Sequence, residues 1–479
     1  MLLLTHSLPE LQSIIRDLKS RYGPLVALSI GSHSSVFVGS HSLTHQVLIQ
    51  KGTTFSDRPE IYPLRAISTA SYGPTWRAFR HNLASNFLRP SNVKSYSWAR
   101  KYVLGVMIAH IQEQQEAVGT IKVIDHIYLA MLHLSVLMCF GVKLQDSGIN
   151  DIASVHGGVL SYLGSSFFKI FIVSPTLAKI LFRNKWKKFD ELRSKQYQLL
   201  VPLMNTRTKA HNLSYIDTLV KLQLPEDSKL TQTEMVSMCS EFLVGGTEAT
   251  SNALQWIMAN LVKHPCIQSK LYDEIVAVVG PPPPPSPPGV DHVGNSWSPR
   301  QVFRERDHEL ELVITEENLQ KIPYLKAVIL EGLRRHPPGH IVLPHRVTEE
   351  VELQGYKIPK GATINFMVAE MGWDPEVWDD PMEFKPERFL MNDGSGVGFD
   401  VGGSKGIKMM PFGAGRRICP GADLALLHLE YFVANLIWYF HWTVPDGYTV
   451  DLTEQVKFTV VMKNPLKTKI FSRTKTTTA

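Results

Sequence analysis

One stretch decides the fold, and it reads Pro411-Phe412-Gly413-Ala414-Gly415-Arg416-Arg417-Ile418-Cys419-Pro420-Gly421. An apolar run with helical periodicity follows it over residues 422–438. Because proline suits the first position of a helix, Pro420 places Cys419 at a helix N-terminus. Free backbone N–H groups and the positive end of the helix dipole stabilise a thiolate there. We therefore predict that this helix presents an anionic sulfur at its N-terminus.

The residues around this sulfur suit a flat ligand that carries an anionic arm. Gly413 and Gly415 permit the tight turn that presents the sulfur, and Gly421 lets a planar group lie close to the helix. Arg417 can pair with the anionic arm, and Phe412 can shield one side of the sulfur. Together these features describe a haem with a proximal thiolate. The spacing alone fits a flexible Gly-rich loop with a reactive cysteine equally well.

Phosphate-binding motifs are excluded for the same stretch. The dinucleotide-binding pattern would need a third glycine after Gly413 and Gly415 at position 418, where Ile418 stands, and no strand precedes the loop. The chain also contains no Gly-Lys-Ser or Gly-Lys-Thr of a P-loop.

Composition narrows the class of protein further. The 479 residues are 44% hydrophobic and 20% charged, which is ordinary globular usage and excludes a disordered chain. Lys and Arg number 50 against 44 Asp and Glu, a net charge of +6 without a long basic run, so a histone-like or tail-like nucleic-acid binder is excluded and no nucleic-acid partner is expected. The four cysteines form no Cys-x-x-Cys pair and none neighbours a histidine at zinc-finger spacing, which argues against a structural zinc site. Four cysteines in a chain of this length also do not make a disulfide scaffold. Cys139, Cys239 and Cys266 lie in apolar helical stretches, where we predict inert core thiols.

Helical periodicity dominates the chain, and short strands flank it. The predicted helices span Leu8–Tyr22, 129–140, Gln232–Lys263, 316–336 and 422–438. The predicted strands span Leu25–Ile30, 35–38, Val351–Leu353 and 362–366. No stretch reaches the roughly 18 consecutive apolar residues of a membrane span. The sequence therefore predicts a mainly α protein with small β-sheets, of the α+β class, in a single domain over residues 1–479.

The predicted helix Gln232–Lys263 carries the clearest local signals. Thr231 and Glu234 form a capping-box pattern at its start, and a His-Pro pair ends it. Gly245 and Gly246 lie near its middle, where each costs about 1 kcal/mol relative to alanine. Close approach of a flat ligand or tight helix packing would offset this cost, and the two explanations remain open on this feature.

Two segments are predicted to lie outside the main helical body. Residues 281–288 read PPPPPSPP, which favours a polyproline II spacer, and residues 281–312 form a Pro-rich surface loop around it. The apolar stretch 167–173 either lines the core or touches a membrane surface, because several exposed apolar side chains together hold a protein weakly to a bilayer.

The cysteine stretch resembles a known family signature. Phe412, Gly415, Arg417, Cys419 and Gly421 match the Phe-x-x-Gly-x-Arg-x-Cys-x-Gly pattern of the cytochromes P-450 in full. Further motifs of that family follow its order: Trp76-x-x-x-Arg80, Gly245-Gly246-Thr247-Glu248, Glu331-x-x-Arg334 and Pro386-Glu387-Arg388-Phe389. The resemblance runs from about residue 8 to 469, and details near residues 254–260 and 458–465 are similar to plant A-type members, most of all to the 89 family.

The resemblance implies a fold and a set of site residues. It implies the cytochrome P-450 fold, with a haem between the long central helix and the helix after Cys419, and Cys419 as the axial ligand of haem b. It implies haem contacts for Trp76, Arg80, Gly245, Gly246, Arg346, Phe412, Gly415, Arg417 and Gly421. It implies catalytic roles for Thr247, Glu248 and Thr250, and a buried charge triad of Glu331, Arg334 and Arg388 that supports the haem loop.

Three departures from the family pattern are evident. Family members usually begin with a membrane anchor and a Pro-rich hinge, which we expect this chain to lack. The 281–312 loop is longer than usual. The position of the usual proton-delivering threonine is occupied by Ala249, which puts efficient oxygen activation in doubt. Thr250 is one residue further on, rotated by about 100° around the helix, so it does not simply replace the missing hydroxyl.

The resemblance implies a haem-thiolate monooxygenase that inserts one oxygen atom from O2 into a lipophilic organic substrate. NADPH electrons would arrive through a separate cytochrome P-450 reductase, because the chain shows no nicotinamide or flavin site. We expect a monomer on the cytosolic face of the endoplasmic reticulum membrane, with basic residues such as Arg77, Lys405 and Arg416 available to an acidic partner. The alternatives are a haem-thiolate isomerase or dehydratase, which needs no O2, and a haem-binding protein without turnover.

The substrate is predicted only as a class. The specificity segments that the resemblance implies are 62–72, 167–172, 241–248, 341–343 and 459–461. Their apolar content suggests a lipophilic ligand in a mostly apolar pocket.

Overall fold

The computed structural model describes residues 8–30, 33–59, 66–163, 180, 182–206, 212–225, 228–282, 313–391 and 396–473. The predicted Pro-rich surface loop therefore lies outside the described residues from position 283 onward. The apolar stretch 167–173, predicted to line the core or touch a membrane, also lies outside them.

Helices form most of the described chain. They are α1 Leu8–Tyr22, α2 His41–His45, α3 Pro74–His81, α4 Pro90–Ser95, α5 Ser97–Val118, α6 Val123–Phe140, α7 Asp146–Leu163, α8 Arg183–Asn205, α9 Tyr215–Val220, α10 Gln232–Lys263, α11 Pro265–Val279, α12 Glu316–Leu319, α13 Pro323–Arg335, α14 Val368–Gly372 and α15 Ala422–Tyr439. Wider turns extend α2 over Gln46–Gln50 and α3 over Asn82–Phe87. The prediction of a mainly helical protein with small sheets is confirmed.

The strands form four small sheets. They are β1 Leu25–Ile30, β2 His33–Val38, β3 Ile121–Lys122, β4 His345–Arg346, β5 Val351–Leu353, β6 Tyr356–Ile358, β7 Thr363–Phe366, β8 Phe440–Thr443, β9 Glu454–Val456, β10 Val460–Met462 and β11 Lys467–Ser472. The largest has the order β1-β2-β7-β4, in which β2 and β7 are parallel and the other pairs antiparallel. The others are β3-β11-β8 and the hairpins β5-β6 and β9-β10.

Helix α10 crosses the molecule as the sequence predicts. The Thr231 hydroxyl accepts a hydrogen bond from the Glu234 N–H at 3.2 Å, and the Glu234 carboxylate accepts one from the Thr231 N–H at 2.9 Å. This capping box starts the helix, and the His264-Pro265 pair ends it because a residue before proline is disfavoured in helical geometry. The second half of α10 is buried almost without interruption, against α6, α13 and α15.

Helix α6 is the other core element. It is the one helix in the described part of the chain that is long and apolar enough to cross a membrane, but 72% of that window is buried inside the protein. Its residues join one apolar cluster with those of α5, α10 and α15. The prediction of a buried helix over 129–140 is therefore confirmed, with a start six residues earlier at Val123.

Two local predictions are wrong. The helix expected over residues 316–336 divides into α12 and α13, since Pro323 lacks the N–H that would continue α12 and instead begins a new helix. Cys266, expected in the core, is exposed near the start of α11, whereas Cys139 and Cys239 are buried as predicted.

Candidate active site

The Cys419 loop is closed by its own backbone. The Cys419 N–H donates to the Phe412 carbonyl at 2.8 Å, and residues Gly415–Arg417 form a short 3₁₀ turn inside the loop. Gly421 is the N-cap of α15, which begins at Ala422. The expectation that Pro420 occupies the first helical position is therefore wrong by two residues. The loop nonetheless places the sulfur beside the first free N–H groups of α15.

Electrostatics at the sulfur favour a bound cation. Burial raises the pKa of the Cys419 thiol, while the Gly421 N–H and the Arg80 guanidinium lower it. The pKa of Arg80 is itself lowered by burial and raised by Cys419. Asp423 adds to the raising effect, so the chain alone favours the neutral thiol, and a bound metal cation would favour the thiolate.

Gly415 must be a glycine for a steric reason that is separate from any ligand. Its φ is +68°, and a Cβ at this position would lie 2.1 Å from the Leu48 carbonyl oxygen. Gly413 has a similar φ of +70°, but its nearest neighbour would be a methyl group of Val342 at 3.9 Å. The structure therefore gives Gly415 a role in seating the loop against the turn after α2, besides any contact with a cofactor.

A cluster of guanidinium groups lies next to the loop. Arg417 donates to the carbonyls of Ser56 at 2.7 Å, Ile67 at 3.1 Å and Ala70 at 2.7 Å. Its guanidinium carbon lies 4.4 Å from the centroid of the Trp76 ring. Trp76 in turn donates from Nε1 to the Ile67 carbonyl at 3.2 Å. Arg417 and Trp76 thus clamp the same short segment of chain.

Arg58 belongs to the same cluster, although the sequence analysis does not include it among the site residues. It donates to the carbonyls of Ser68, Leu343 and Pro344 at 2.8–2.9 Å. Burial and the neighbouring Arg417 lower the pKa of Arg58 to about 9. Burial also lowers the pKa of Arg417 to about 10, with Arg80 adding to the effect. These buried guanidinium groups repel one another, so the cluster favours additional anions.

The other two arginines of the predicted haem contacts flank this cluster. Arg80 donates from Nη1 to the Ile418 carbonyl, directly before the cysteine. Arg346 lies in β4, where its N–H donates to the Asp57 carbonyl at 2.9 Å, one residue before Arg58. The structure therefore brings Trp76, Arg80, Arg346 and Arg417 to the surroundings of one loop.

The two glycines in the middle of α10 have different neighbours. A Cβ at Gly246 would lie 2.9 Å from the Ser135 hydroxyl of α6, whereas a Cβ at Gly245 would meet no atom within 4 Å. Gly245 is exposed although it lies in the middle of a core helix. Helix packing therefore accounts for Gly246, whereas the surroundings of Gly245 are open and leave the ligand explanation a prediction.

The predicted catalytic residues of α10 differ in burial and in side-chain partners. Thr247 is buried, and its hydroxyl donates to the Ser135 hydroxyl at 3.3 Å, so it faces α6. Glu248 is half-buried and hydrogen-bonded to the Tyr128 hydroxyl of α6. Thr250 is buried, and Ala249 is half-buried. Thr247 and Glu248 therefore both contact α6, Thr247 at Ser135 and Glu248 at Tyr128.

Burial raises the pKa of the Glu248 carboxyl, whereas the hydrogen bond from Tyr128 and the ammonium of Lys457 lower it by less. Burial and the Glu248 carboxylate raise the pKa of Tyr128 above its usual range, so the phenol stays protonated and donates. A carboxyl with a raised pKa is suited to hold and release a proton closer to neutral pH.

The predicted charge triad meets in the interior. Glu331 and Arg334 are fully buried and form two hydrogen bonds, Nε to Oε2 at 2.7 Å and Nη2 to Oε1 at 2.8 Å. Arg388 adds a bond from Nε to Glu331 Oε1 at 3.2 Å. An apolar cluster beside the triad contains Phe389 and Met409, and Met409 precedes the cysteine loop by two residues. The triad thus joins α13 to the chain that leads into the loop.

Comparisons with known proteins agree with this geometry. A family model described as Cytochrome P450 matches residues 1–289 and 300–470. The chain belongs to the cytochrome P450 family. Cytochrome P450 89A9 of Arabidopsis thaliana is 44% identical over 487 residues, which cover 97% of this chain and 90% of that protein. Cytochrome P450 71B8 of the same plant is 27% identical and covers 95% of this chain and 88% of its own length.

Solved cytochrome P450 structures share the fold. A zebra fish cytochrome P450 determined with progesterone superposes with a TM-score of 0.77 at 22% identity, over 96% of this chain and 99% of that one. A second structure, determined with abiraterone, gives a TM-score of 0.76 at the same identity. This cytochrome P450 is therefore an oxidoreductase with thiolate-ligated haem, and the family membership also implies a redox partner, O2 and a lipophilic substrate.

The residues fit a haem. The donor set consists of a thiol whose thiolate form a metal cation would favour, a group of arginines that favours anions, and a helix with open space at Gly245. Haem supplies the cation as iron and the anions as its two propionate groups.

Sequence reasoning missed several functional neighbours. Tyr128 bonds to Glu248, and Asn252 links α10 to the hairpin β9-β10 through Thr459. Glu241 accepts hydrogen bonds from the N–H groups of Ile67 and Ser68 at 2.8 and 2.7 Å. The polar residues on the otherwise apolar helices α6 and α10 are the signal that could have indicated them, because buried polar groups need partners.

Proposed function

We propose that this chain is a monooxygenase that inserts one oxygen atom from O2 into a lipophilic organic substrate, with electrons that NADPH supplies through a separate reductase. The observation that carries the proposal is the surroundings of Cys419: a closed loop, the free N–H groups of α15, and the adjacent arginines. The cofactor proposed is haem b, and its bound iron supplies dioxygen binding and O–O bond cleavage, which thiolate ligation favours.

The residues of the loop hold the sulfur and orient the cofactor. The Gly421 N–H donates to Cys419 Sγ, which fixes the position of the sulfur at the start of α15. Phe412 is half-buried beside the core and shields the sulfur from water. Arg58, Arg80, Arg346 and Arg417 would hold the propionates, since bidentate pairing of guanidinium with carboxylate is strong, and the indole of Trp76 lies beside Arg417.

Proton supply is assigned to α10. The Glu248 carboxyl, whose pKa is raised by burial, would accept and release the proton, and the Tyr128 hydroxyl donates to this carboxyl and fixes its orientation. Ala249 has no hydroxyl, and the side chain of Thr250 lies one residue further around the helix. Delivery from Glu248 therefore runs through ordered water or through a hydroxyl of the substrate.

The proposed partner is NADPH–cytochrome P450 reductase, and the protein acts as a monomer on the cytosolic face of the endoplasmic reticulum membrane. Arg77 and Arg416 are exposed beside Tyr72, with each guanidinium carbon 5.8 Å from the ring centroid. This pair, together with the exposed Lys405, offers positive charge to an acidic partner.

One observation favours a second candidate. Ala249 removes a hydroxyl that oxygen activation would use, whereas a haem-thiolate isomerase or dehydratase needs no proton relay to oxygen. The loop from Phe412 to Cys419 has the regular family spacing, without the insertion that would indicate an altered haem loop, so the monooxygenase is preferred.

Reconstitution with NADPH–cytochrome P450 reductase separates these functions. We expect NADPH oxidation and product formation in air, and loss of both under argon. Product formation under argon without NADPH would contradict the monooxygenase and support the isomerase or dehydratase. Haem binding without NADPH consumption in air would support a binding protein without turnover.

A further inference from the structure

One face of α10 is open in its middle and covered at both ends. Residues at intervals of three or four lie on one face of a helix, and on α10 this face contains Glu241, Gly245, Glu248 and Asn252. A Cβ at Gly245 would meet no atom of the described chain within 4 Å. At Asn252 the hairpin β9-β10 covers the face, through the hydrogen bond to Thr459. A different segment covers it at Glu241, eleven residues or roughly 16 Å before Asn252 along the helix.

The segment at Glu241 is a tight turn over residues 66–70, called the 66–70 turn below. It is closed by a hydrogen bond from the Ala70 N–H to the Ala66 carbonyl at 2.8 Å. The Glu241 carboxylate accepts from two consecutive N–H groups of this turn, Oε2 from Ile67 at 2.8 Å and Oε1 from Ser68 at 2.7 Å. The 66–70 turn therefore lies directly over Glu241, one helical turn or about 6 Å along the axis from Gly245.

The carbonyl groups of the same turn are bound by the arginine cluster beside the cysteine loop. Arg417 donates to the carbonyls of Ile67 at 3.1 Å and Ala70 at 2.7 Å, and Arg58 donates to that of Ser68 at 2.9 Å. The backbone dipoles of the turn thus have a carboxylate at their N–H side and guanidinium groups at their carbonyl side. Hydrogen bonds to charged groups are among the strongest in proteins, so the turn has a defined position between α10 and the cysteine loop.

We propose that Glu241 is a positioning residue for substrate binding, which holds the 66–70 turn at one end of the open space beside Gly245. This inference rests on the proposed function, because it assigns that space to the lipophilic substrate. The carboxylate suits this role, since its two oxygens only accept hydrogen bonds and each faces a donor. A glutamine would turn its own N–H groups toward one of these donors and leave that donor unpaired. The position of the turn therefore depends on an acceptor with two equivalent oxygens.

Two probes of different length test this role without a known substrate. Imidazole and 1-octylimidazole bind a haem iron through the same kind of ring nitrogen, and only the second carries an apolar chain. The shift of the Soret band on titration of the haem-loaded protein gives the dissociation constant of each probe independently of turnover. We expect the parent to bind 1-octylimidazole at least about 10-fold more tightly than imidazole, because burial of the CH2 groups is favourable.

Glu241→Gln should weaken the binding of 1-octylimidazole about 10-fold and leave that of imidazole unchanged. With one N–H unpaired, the turn takes its place in only a fraction of the molecules, and the affinity for a ligand that contacts the turn falls by that fraction. The matched control is Glu274→Gln on α11. The Glu274 carboxylate also accepts from a backbone N–H, that of Tyr324 at 3.0 Å, but it lies outside the open face of α10, so neither affinity should change.

Three results would overturn the role of Glu241. The first is equal affinity of the parent for the two probes, since the open space would then not accept an apolar ligand. The second is an unchanged ratio of the two affinities in Glu241→Gln. The third is a Glu241→Gln protein that loses both affinities equally or does not bind haem, because the residue would then support the fold or the cofactor as a whole.

Failure of this inference is distinguishable from failure of the proposed function. The same preparations are examined for O2-dependent NADPH consumption with reductase. A parent that consumes NADPH and prefers 1-octylimidazole, with the same ratio of affinities in Glu241→Gln, contradicts the role of Glu241 alone. A haem-loaded parent that consumes no NADPH in air contradicts the monooxygenase, whatever the two probes show.

Discussion

Gly415 lies so close to Leu48 that a Cβ on the glycine would be 2.1 Å from the Leu48 carbonyl oxygen. The contact joins the cysteine loop to the turn Gln46–Gln50 that follows α2. Because the obstructing atom belongs to the backbone, no side-chain rotation relieves the overlap. The position of Cys419 therefore depends on a glycine whose necessity is steric as well as conformational.

Gly415→Ala should destabilise the protein more than Gly413→Ala. Both glycines have positive φ, which costs a residue with a Cβ about 1–2 kcal/mol. Only Gly415 adds the overlap with Leu48, so the loop must move. The measurement is the urea midpoint of each variant, with haem content determined in parallel. Equal midpoints for the two variants would contradict the steric account.

Glu331→Gln should lower stability by about 3–5 kcal/mol and reduce haem content. The substitution leaves the Arg334 guanidinium buried without its carboxylate partner, and the Arg388 contact weakens with it. Glu317→Gln is the control, since Glu317 forms an exposed pair with Lys94 and exposed pairs contribute little. Normal haem content and thermal stability in Glu331→Gln would show that the triad does not support the loop.

Stability should fall as the pH drops below about 6.5. Burial lowers the pKa of His336 to about 4, and it lowers the pKa values of His345 and His428 to about 3. The unfolded chain binds protons on these histidines between their ordinary pKa near 6.5 and the lowered values, whereas the folded protein does not. His336 alone accounts for a loss of up to roughly 3 kcal/mol by pH 4.

Urea unfolding at pH 7.5, 6.0 and 5.0 measures this dependence. Glu454 adds a second loss of folding stability, but only at lower pH. The His336 and His340 contacts outweigh burial and hold the pKa of its carboxyl at about 2. The stability that this carboxylate contributes is therefore complete above its ordinary pKa near 4.5 and is lost as the pH falls below that value. A free energy of unfolding that stays constant from pH 7.5 to 5.0 would contradict the neutral, buried state of the histidines.

Ala249→Thr should raise the amount of product formed per NADPH consumed and lower the release of peroxide. The new hydroxyl adds a proton donor near Glu248, and a general acid–base group typically contributes roughly 10²–10⁴-fold. The coupling ratio in a system reconstituted with reductase is the measurement, and Thr250→Ala is the matched variant. An unchanged ratio in Ala249→Thr with a collapse in Thr250→Ala would mean that Thr250 already delivers protons. Unchanged ratios in both would favour a mechanism that does not activate oxygen.

The elements predicted well from sequence are those with local signals at their ends. Helix α10 begins and ends where the capping box and the His-Pro pair predict, and the two strands after α1 are flanked by glycines. The apolar periodicity of residues 316–336 continues across Pro323, so the pattern does not indicate the helix boundary there. The sequence predicts Pro420 at a first helical position, whereas α15 begins two residues later.

In the candidate site, too, the features with a local sequence signal could be predicted and the others could not. The cysteine loop and the triad could be predicted because they belong to short motifs of fixed spacing. The bond from Asn252 to Thr459 joins residues 207 positions apart, and the bond from Tyr128 to Glu248 crosses between two helices, so no local pattern indicates them. The different surroundings of Gly245 and Gly246 also follow from packing against Ser135, which only the assembled structure contains.

The central claim is that Cys419 provides the thiolate ligand of a haem. The most direct test is the absorption spectrum of the reduced carbon monoxide complex of the parent and of Cys419→His. We predict that the parent shows the long-wavelength Soret band of a thiolate-ligated haem and that Cys419→His, with haem still bound, shows the shorter-wavelength band of imidazole ligation. Retention of the long-wavelength band in Cys419→His, or its absence from the haem-loaded parent, would contradict the account.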